Sequence, residues 1–232
     1  MIILERVTSV VTVGGKTRKV LAAASEKIPS NRHIALLGPS HEDNRILINL
    51  LGGVELPTDG YILRKALVSF PVGHLGGFQR DQTVRLNVAH VARLYGADVQ
   101  PTVNFVRKVA NLGKAFNKPY IELPTVQKKE LSELLAFSIP FDLYLLLDEI
   151  ALPGTRRFHE TKHALFEARA RTSGMIVAVR DLAFARKYCN MGLVLNRGRL
   201  RLFDDVARAI SAVEKLKAKA TAASNPRNNS SP

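Results

Sequence analysis

The chain has 232 residues, 46% hydrophobic and 23% charged, enough for one large domain with a substantial core. Cys189 is the single cysteine, which excludes an intramolecular disulfide, a cysteine metal cluster and redox chemistry, and reads as a small apolar core residue. The formal charge of +14 calls for an anionic neighbour or a strongly solvated surface.

The cations are scattered through "RKVLAAASEK", "RRFHETKH" and "RGRLR" without interleaved aromatics. They read first as solvated surface, second as a membrane-facing surface, and no nucleic-acid partner is expected. Apolar runs such as "LYLLLDEIAL" are broken by charge well short of the roughly 20 residues of a membrane span, and the N-terminus lacks a signal-peptide pattern. A cytoplasmic protein is the expectation.

In chain order, "IILERVTSVVTV" and "KTRKVLAAASEKI" are rich in apolar and β-branched residues and meet at Gly14-Gly15, a two-stranded hairpin. "HIALLG" is a short buried strand. It leads into a helix from about 41 to 52 with Ile46, Leu47, Leu50 and Leu51 on one face. "ELPTDGYILR" is a turn and a strand, and "TVRLNVAHVARLYG" and "PTVNFVRKVANLGKAF" are amphipathic helices separated by Gly96 to Pro101.

The second half opens with the helix "VQKKELSELLAF" and continues with "DLYLLLDEI", a strand buried on both faces that ends in two carboxylates. "ETKHALFEARART" is helical, "GMIVAV" is a buried strand, "LAFARKYC" a short helix, and "MGLVLNRGRLRLF" a hairpin turning at Asn196 to Gly198. Strands alternating with helices give an α/β fold, a mixed sheet with a parallel core. From about residue 213 the chain turns basic, polar and proline-containing, and a disordered tail over 213 to 232 is expected.

"HIALLGPSHEDNR" has the strand, loop and helix outline of a phosphate-binding loop. Three longer stretches make the comparison specific: "FPVGHLGGFQRDQTVRLNVAHVARLYG", "FDLYLLLDEIALPGTRRF" and "GMIVAVRDLAFARKYCNMGLVLNRGRLRLFDDVARAI". Together they resemble the ATP-binding subunits of capsular-polysaccharide ABC exporters, over nearly all of residues 1 to 212. The resemblance implies a P-loop NTPase-type ABC ATPase domain with an N-terminal antiparallel hairpin and a helical subdomain. It further implies ATP and magnesium as cofactors, and a homodimer or a heterodimer with an active homologue. A membrane permease partner and peripheral attachment to the cytoplasmic face of the bacterial inner membrane complete the expectation.

Carried over residue by residue, the pattern departs from the family at most positions. The phosphate loop falls on Gly38, Pro39, Ser40, His41, Glu42, Asp43, Asn44 and Arg45. Only the first glycine matches: Asp43 stands at the second glycine, Asn44 at the phosphate-binding lysine and Arg45 at the magnesium-binding hydroxyl. The signature segment falls on Lys128, Lys129 and Glu130, followed by Leu131 and Ser132; the switch histidine falls on Arg180 and the D-loop aspartate on Thr155. No aromatic precedes Tyr61, so the adenine platform is missing.

Asp148 and Glu149 match. The resemblance assigns them magnesium binding and activation of the attacking water, against a plain reading as a charged strand end. Arg180 is either an anion or interface contact or simple surface packing, and His159 with His163 reads as a surface pair rather than a metal site.

The pattern is that of a catalytically degenerate member acting as a structural or regulatory subunit. A working ATPase with an atypical loop, and a soluble regulator that binds acidic polymer, are the competing readings. For the loop itself, Ser40 and Asp43 match a capping box, in which the helix would satisfy its own N–H donors where relatives bind phosphate.

Overall fold

The computed structural model describes residues 1–13, 15–73, 78–147 and 160–224. β1 (Ile2–Val13) and β2 (Lys16–Ile28) pair antiparallel, with Val13 opposite Lys16 at the turn. β4 (Asp59–Arg64) joins the other side of β1, giving a three-stranded sheet in the order β2-β1-β4.

The larger sheet contains β3 (His33–Leu37), β5 (Val68–Val72), β6 (Leu143–Leu146), β7 (Gly174–Ala178), β8 (Met191–Asn196) and β9 (Arg199–Phe203), in the order β5-β6-β7-β3-β8-β9. Every neighbouring pair is parallel except β8 and β9. β5 is the strand the sequence did not show. Its Pro71 lacks a ladder donor and interrupts the register, which confines the strand to the sheet edge. The β8 to β9 turn has positive φ at Arg197 and Gly198, as a two-residue hairpin of matching twist requires.

The uninterrupted apolar strands face two cores. Ile34, Leu36, Leu143, Leu145, Ile176 and Ala178 point to one side, where α1 (His41–Gly52) lies between the two sheets with Leu47, Ile48, Leu50 and Leu51 fully buried. Each such side chain contributes on the order of 1.5–3 kcal/mol on burial. The intervening residues, Ala35, Leu37, Tyr144, Leu146 and Val177, face α2 (Val84–Leu94), α3 (Val99–Ala110) and α4 (Thr125–Ser138). α5 (Glu160–Thr172) contributes Phe166 to that second core and α6 (Leu182–Tyr188) contributes Phe184 and Ala185.

Three boundaries differ from the sequence reading. α3 ends at Ala110, and Gly113–Asn117, expected to continue it, form a separate 3₁₀ turn. Pro101 lies inside α3 rather than ahead of it, in the first turn, where a missing N–H has no helical partner to lose. Of the tail expected over 213 to 232, residues 213–224 belong to α7 (Val206–Ser224), and 225–232 lie outside the described residues. Asp205 starts this helix by accepting from Arg208 N at 2.8 Å. Ala209, Ile210 and Val213 are buried, and the alanines and lysines that follow are good helix formers.

Gly192 on β8 is where α7 sits down: a Cβ there would collide with the Ala209 methyl. Gly192→Ala is therefore expected to lower stability by about 1–3 kcal/mol, measured as a shift of the urea unfolding midpoint. Burial pushes the Cys189 thiol up to about 12. Because burial disfavours the thiolate, native protein at pH 8 should resist a thiol-specific reagent that reacts fully after denaturation.

Candidate nucleotide site

β3 runs through the middle of the larger sheet and delivers the chain to Gly38 at its end. The approach is tight: a Cβ at Gly38 would lie 2.5 Å from Leu195 O and 2.8 Å from Asn44 Oδ1. Glycine is required here by space, since no other residue leaves room for β8 beside the turn.

The helix begins at once. Ser40 is the N-cap, with φ −108° and ψ 110°, and its Oγ accepts from Asp43 N at 3.2 Å while its carbonyl accepts from Asn44 N at 3.2 Å. His41, Glu42, Asp43 and Asn44 are all helical residues. The serine half of the expected capping box is formed, but the acidic half is not. Asp43 turns to the N-terminal hairpin and binds Arg18 Nη1, and Glu42 Oε2 lies 3.6 Å from Arg18 Nη2. Arg18 on β2 out-competes the backbone because a guanidinium offers a charged donor where the Ser40 backbone offers a neutral one.

Asn44, at the lysine position, is 1% exposed, and its Oδ1 has no hydrogen-bond partner among the described residues. Pro39 and Arg45 are exposed. A cavity of about 150 Å³ opens beside Gly38, His41 and Asn44, and Arg180 from the end of β7 lies on its wall with Val213 and Lys217 of α7. The fold thus brings the phosphate-loop and switch-histidine positions together.

The signature positions are placed elsewhere and are engaged within the chain. Lys128 Nζ donates to Ile121 O at 2.9 Å and stands 5.3 Å over the Tyr120 ring. Glu130 lies 3.8 Å from Lys162 Nζ, which also lies 3.9 Å from the buried Glu133, whose acid is raised by desolvation against the nearby lysines. The Lys129 stem packs near Gly73. Asp148, Glu149, Thr155 and His159 lie outside the described residues; His163 is 3.7 Å from Glu167. Among the described residues no metal-binding cluster of His, Cys, Asp and Glu is present, and no helix is long and apolar enough to cross a membrane.

Arg18 and Lys217 were not legible as site residues. Arg18 is one cation among several in a hairpin, and Lys217 falls in a segment whose composition suggested a tail; only folding places them at the loop.

A six-stranded sheet with five parallel strands and β9 antiparallel, a separate antiparallel sheet, a helical subdomain and a strand-to-helix loop at the central strand define an ABC ATPase-type domain. The solved dimer of an ATP-binding cassette bound to ADP and Pi has this fold, with a TM-score of 0.62 over 87% of this chain and 97% of that one at 18% identity. No family model matches the chain. The polysialic acid transport ATP-binding protein KpsT of Escherichia coli is 32% identical over 72% of this chain and 75% of its own length. The capsule polysaccharide export ATP-binding protein CtrD of Neisseria meningitidis serogroup B is 31% identical over 83% of this chain and 88% of its own. The chain belongs to the family of capsular-polysaccharide export ATP-binding proteins.

Ser40→Ala is expected to cost about 1 kcal/mol through loss of the cap. Arg18→Ala, acting on a partly exposed pair, is expected to cost under about 1 kcal/mol. A double-mutant cycle between Arg18 and Asp43 in urea unfolding should return a favourable coupling.

Proposed function

We propose that the chain is a non-hydrolysing member of the capsule-export family, one that keeps the fold and its partner contacts while its phosphate loop no longer receives a nucleotide. The first turn of α1 carries this reading. In an open phosphate loop successive N–H groups converge on the ligand. Here Ser40 takes the N–H groups of Asp43 and Asn44, and Arg18 locks the Asp43 carboxylate beside the helix start.

ATP and magnesium, which the family implies, do not fit these residues. A buried amide, its acceptor oxygen unpartnered among the described residues, stands in place of a cation, and Arg18 is already paired with Asp43 and Glu42 rather than offered to a phosphate. Lys128 and Glu130 are committed to contacts of their own chain, which argues against their reaching across to a partner's nucleotide. No step is assigned to Asp148 or Glu149.

The segment between β5 and α2 supports a retained partner role. Asn87 is 1% exposed and organises the loop ahead of α2, accepting from Gln79 N at 2.7 Å and donating to Gln79 O at 2.9 Å. By the family resemblance, residues 70 to 90 correspond to the stretch with which ABC ATPases dock their membrane partner. The proposed role is therefore a structural or regulatory subunit, paired with itself or with an active homologue. A permease of a capsule-type polysaccharide exporter would hold it at the cytoplasmic face of the bacterial inner membrane.

Titration of the isolated protein with a fluorescent ATP analogue tests the reading. No saturation is expected in the micromolar range with or without magnesium; micromolar, magnesium-dependent binding overturns it and restores the working ATPase.

A further inference from the structure

The large hydrophobic residues left exposed are concentrated around one strand. Tyr61 and Leu63 on β4 are 62% and 43% exposed, and Val54, Leu56, Leu67 and Met1 lie exposed in the segments at its two ends. Natural sheets blunt such edges with charge, proline or a covering segment, because an apolar edge strand is a template for pairing.

β4 is an edge strand, pairing among the described residues with β1 alone. Lys65 N donates to Met1 O at 2.9 Å. Hydrogen-bonding direction alternates along an antiparallel strand, so Leu63 and Tyr61 also turn their backbone groups toward β1, and Ile62 and Arg64 turn theirs outward. Consistent with this, Ile62 O accepts at 3.4 Å from the tip of Arg64, whose Nε and Nη2 donate at 2.7 Å to Leu51 O and Leu50 O.

We infer that β4 is a self-association edge whose occupant is a second copy of this chain, paired antiparallel about a two-fold axis at Ile62. That register pairs the outward backbone groups of Ile62 in both copies; the regular ladder ends at Gly60, whose φ is 77° and whose N–H donates to Asp59 Oδ1 at 2.8 Å. It sets Tyr61 against Leu63 of the second copy, and Leu63 against its Tyr61, on the exposed face of the sheet. It also brings Asp59 to the same end of the pair as Lys65 of the second copy, twice by symmetry, and both are exposed. Apolar contact in the middle with opposite charges at both ends is a self-complementary arrangement of the kind a two-fold interface needs. The segment carrying Val54 and Leu56 in one copy then approaches Leu67 and Met1 of the other. None of these residues belongs to the phosphate-loop, switch or signature positions, so the pairing is independent of nucleotide and of the non-hydrolysing role.

Sedimentation equilibrium of the full chain without nucleotide, across a concentration series, tests the pairing. The mass is expected to rise from one chain to two. Asp59→Lys, which brings two lysines together at each end of the pair, should weaken dimerisation about tenfold. Asp59→Lys with Lys65→Asp should restore it, and Tyr61→Lys with Leu63→Lys should leave a folded monomer with unchanged circular dichroism. A monomer at every concentration overturns the inference, as does growth beyond two chains, or a dimer indifferent to both Asp59→Lys and the Tyr61 and Leu63 changes.

Discussion

The placement of α1 between the two sheets is the constraint on which the rest of the structure depends. Its face of Leu47, Ile48, Leu50 and Leu51 closes the core shared by β1, β2, β3, β6, β7 and β8, so its axis and its starting point are fixed by packing from both sides. Both ends are tied. Gly53 adopts φ 75° and returns its N–H to Leu50 O, and Arg64 from β4 donates to the carbonyls of Leu50 and Leu51. At the other end Gly38 admits the turn only because it has no side chain to meet Leu195.

With the helix pinned, the chemistry of its first turn decides what the end of β3 can do. Glycines in that turn would hold it open and aim N–H groups at an anion; His41, Glu42 and Asp43 instead continue the helix N-terminally, favoured by the Ser40 cap and by acids at the positive end of the dipole. Arg18 then completes a cluster in which hairpin and helix neutralise one another. The acidic charge of this turn is balanced within the chain, and the helix face that closes the core, Leu47 to Leu51, begins only after it.

Much of this was legible in the sequence for a simple reason. Unbroken runs such as "LYLL" and "GMIVA" are buried on both faces, and that requires a parallel sheet covered by helices. The text around "ARLYG" carried the family resemblance. β5 was missed because a five-residue strand with a proline in it has neither alternation nor length to mark it. The helical extent of α7 was missed because composition past 213 is polar, while Ile210 and Val213 anchor the helix before that composition begins.

The sequence by itself determined the fold class and the family resemblance, since these follow from hydrophobic period and from letters in order. Only the tertiary structure decided where the charged residues after β3 send their charge. That Asp43 goes to Arg18 rather than back to its own helix, and that Arg180 and Lys217 share a cavity wall with Asn44, depends on contacts between residues far apart in the chain. Local sequence cannot specify such pairings, because each charged side chain has several partners of equal chemistry until packing leaves one within reach.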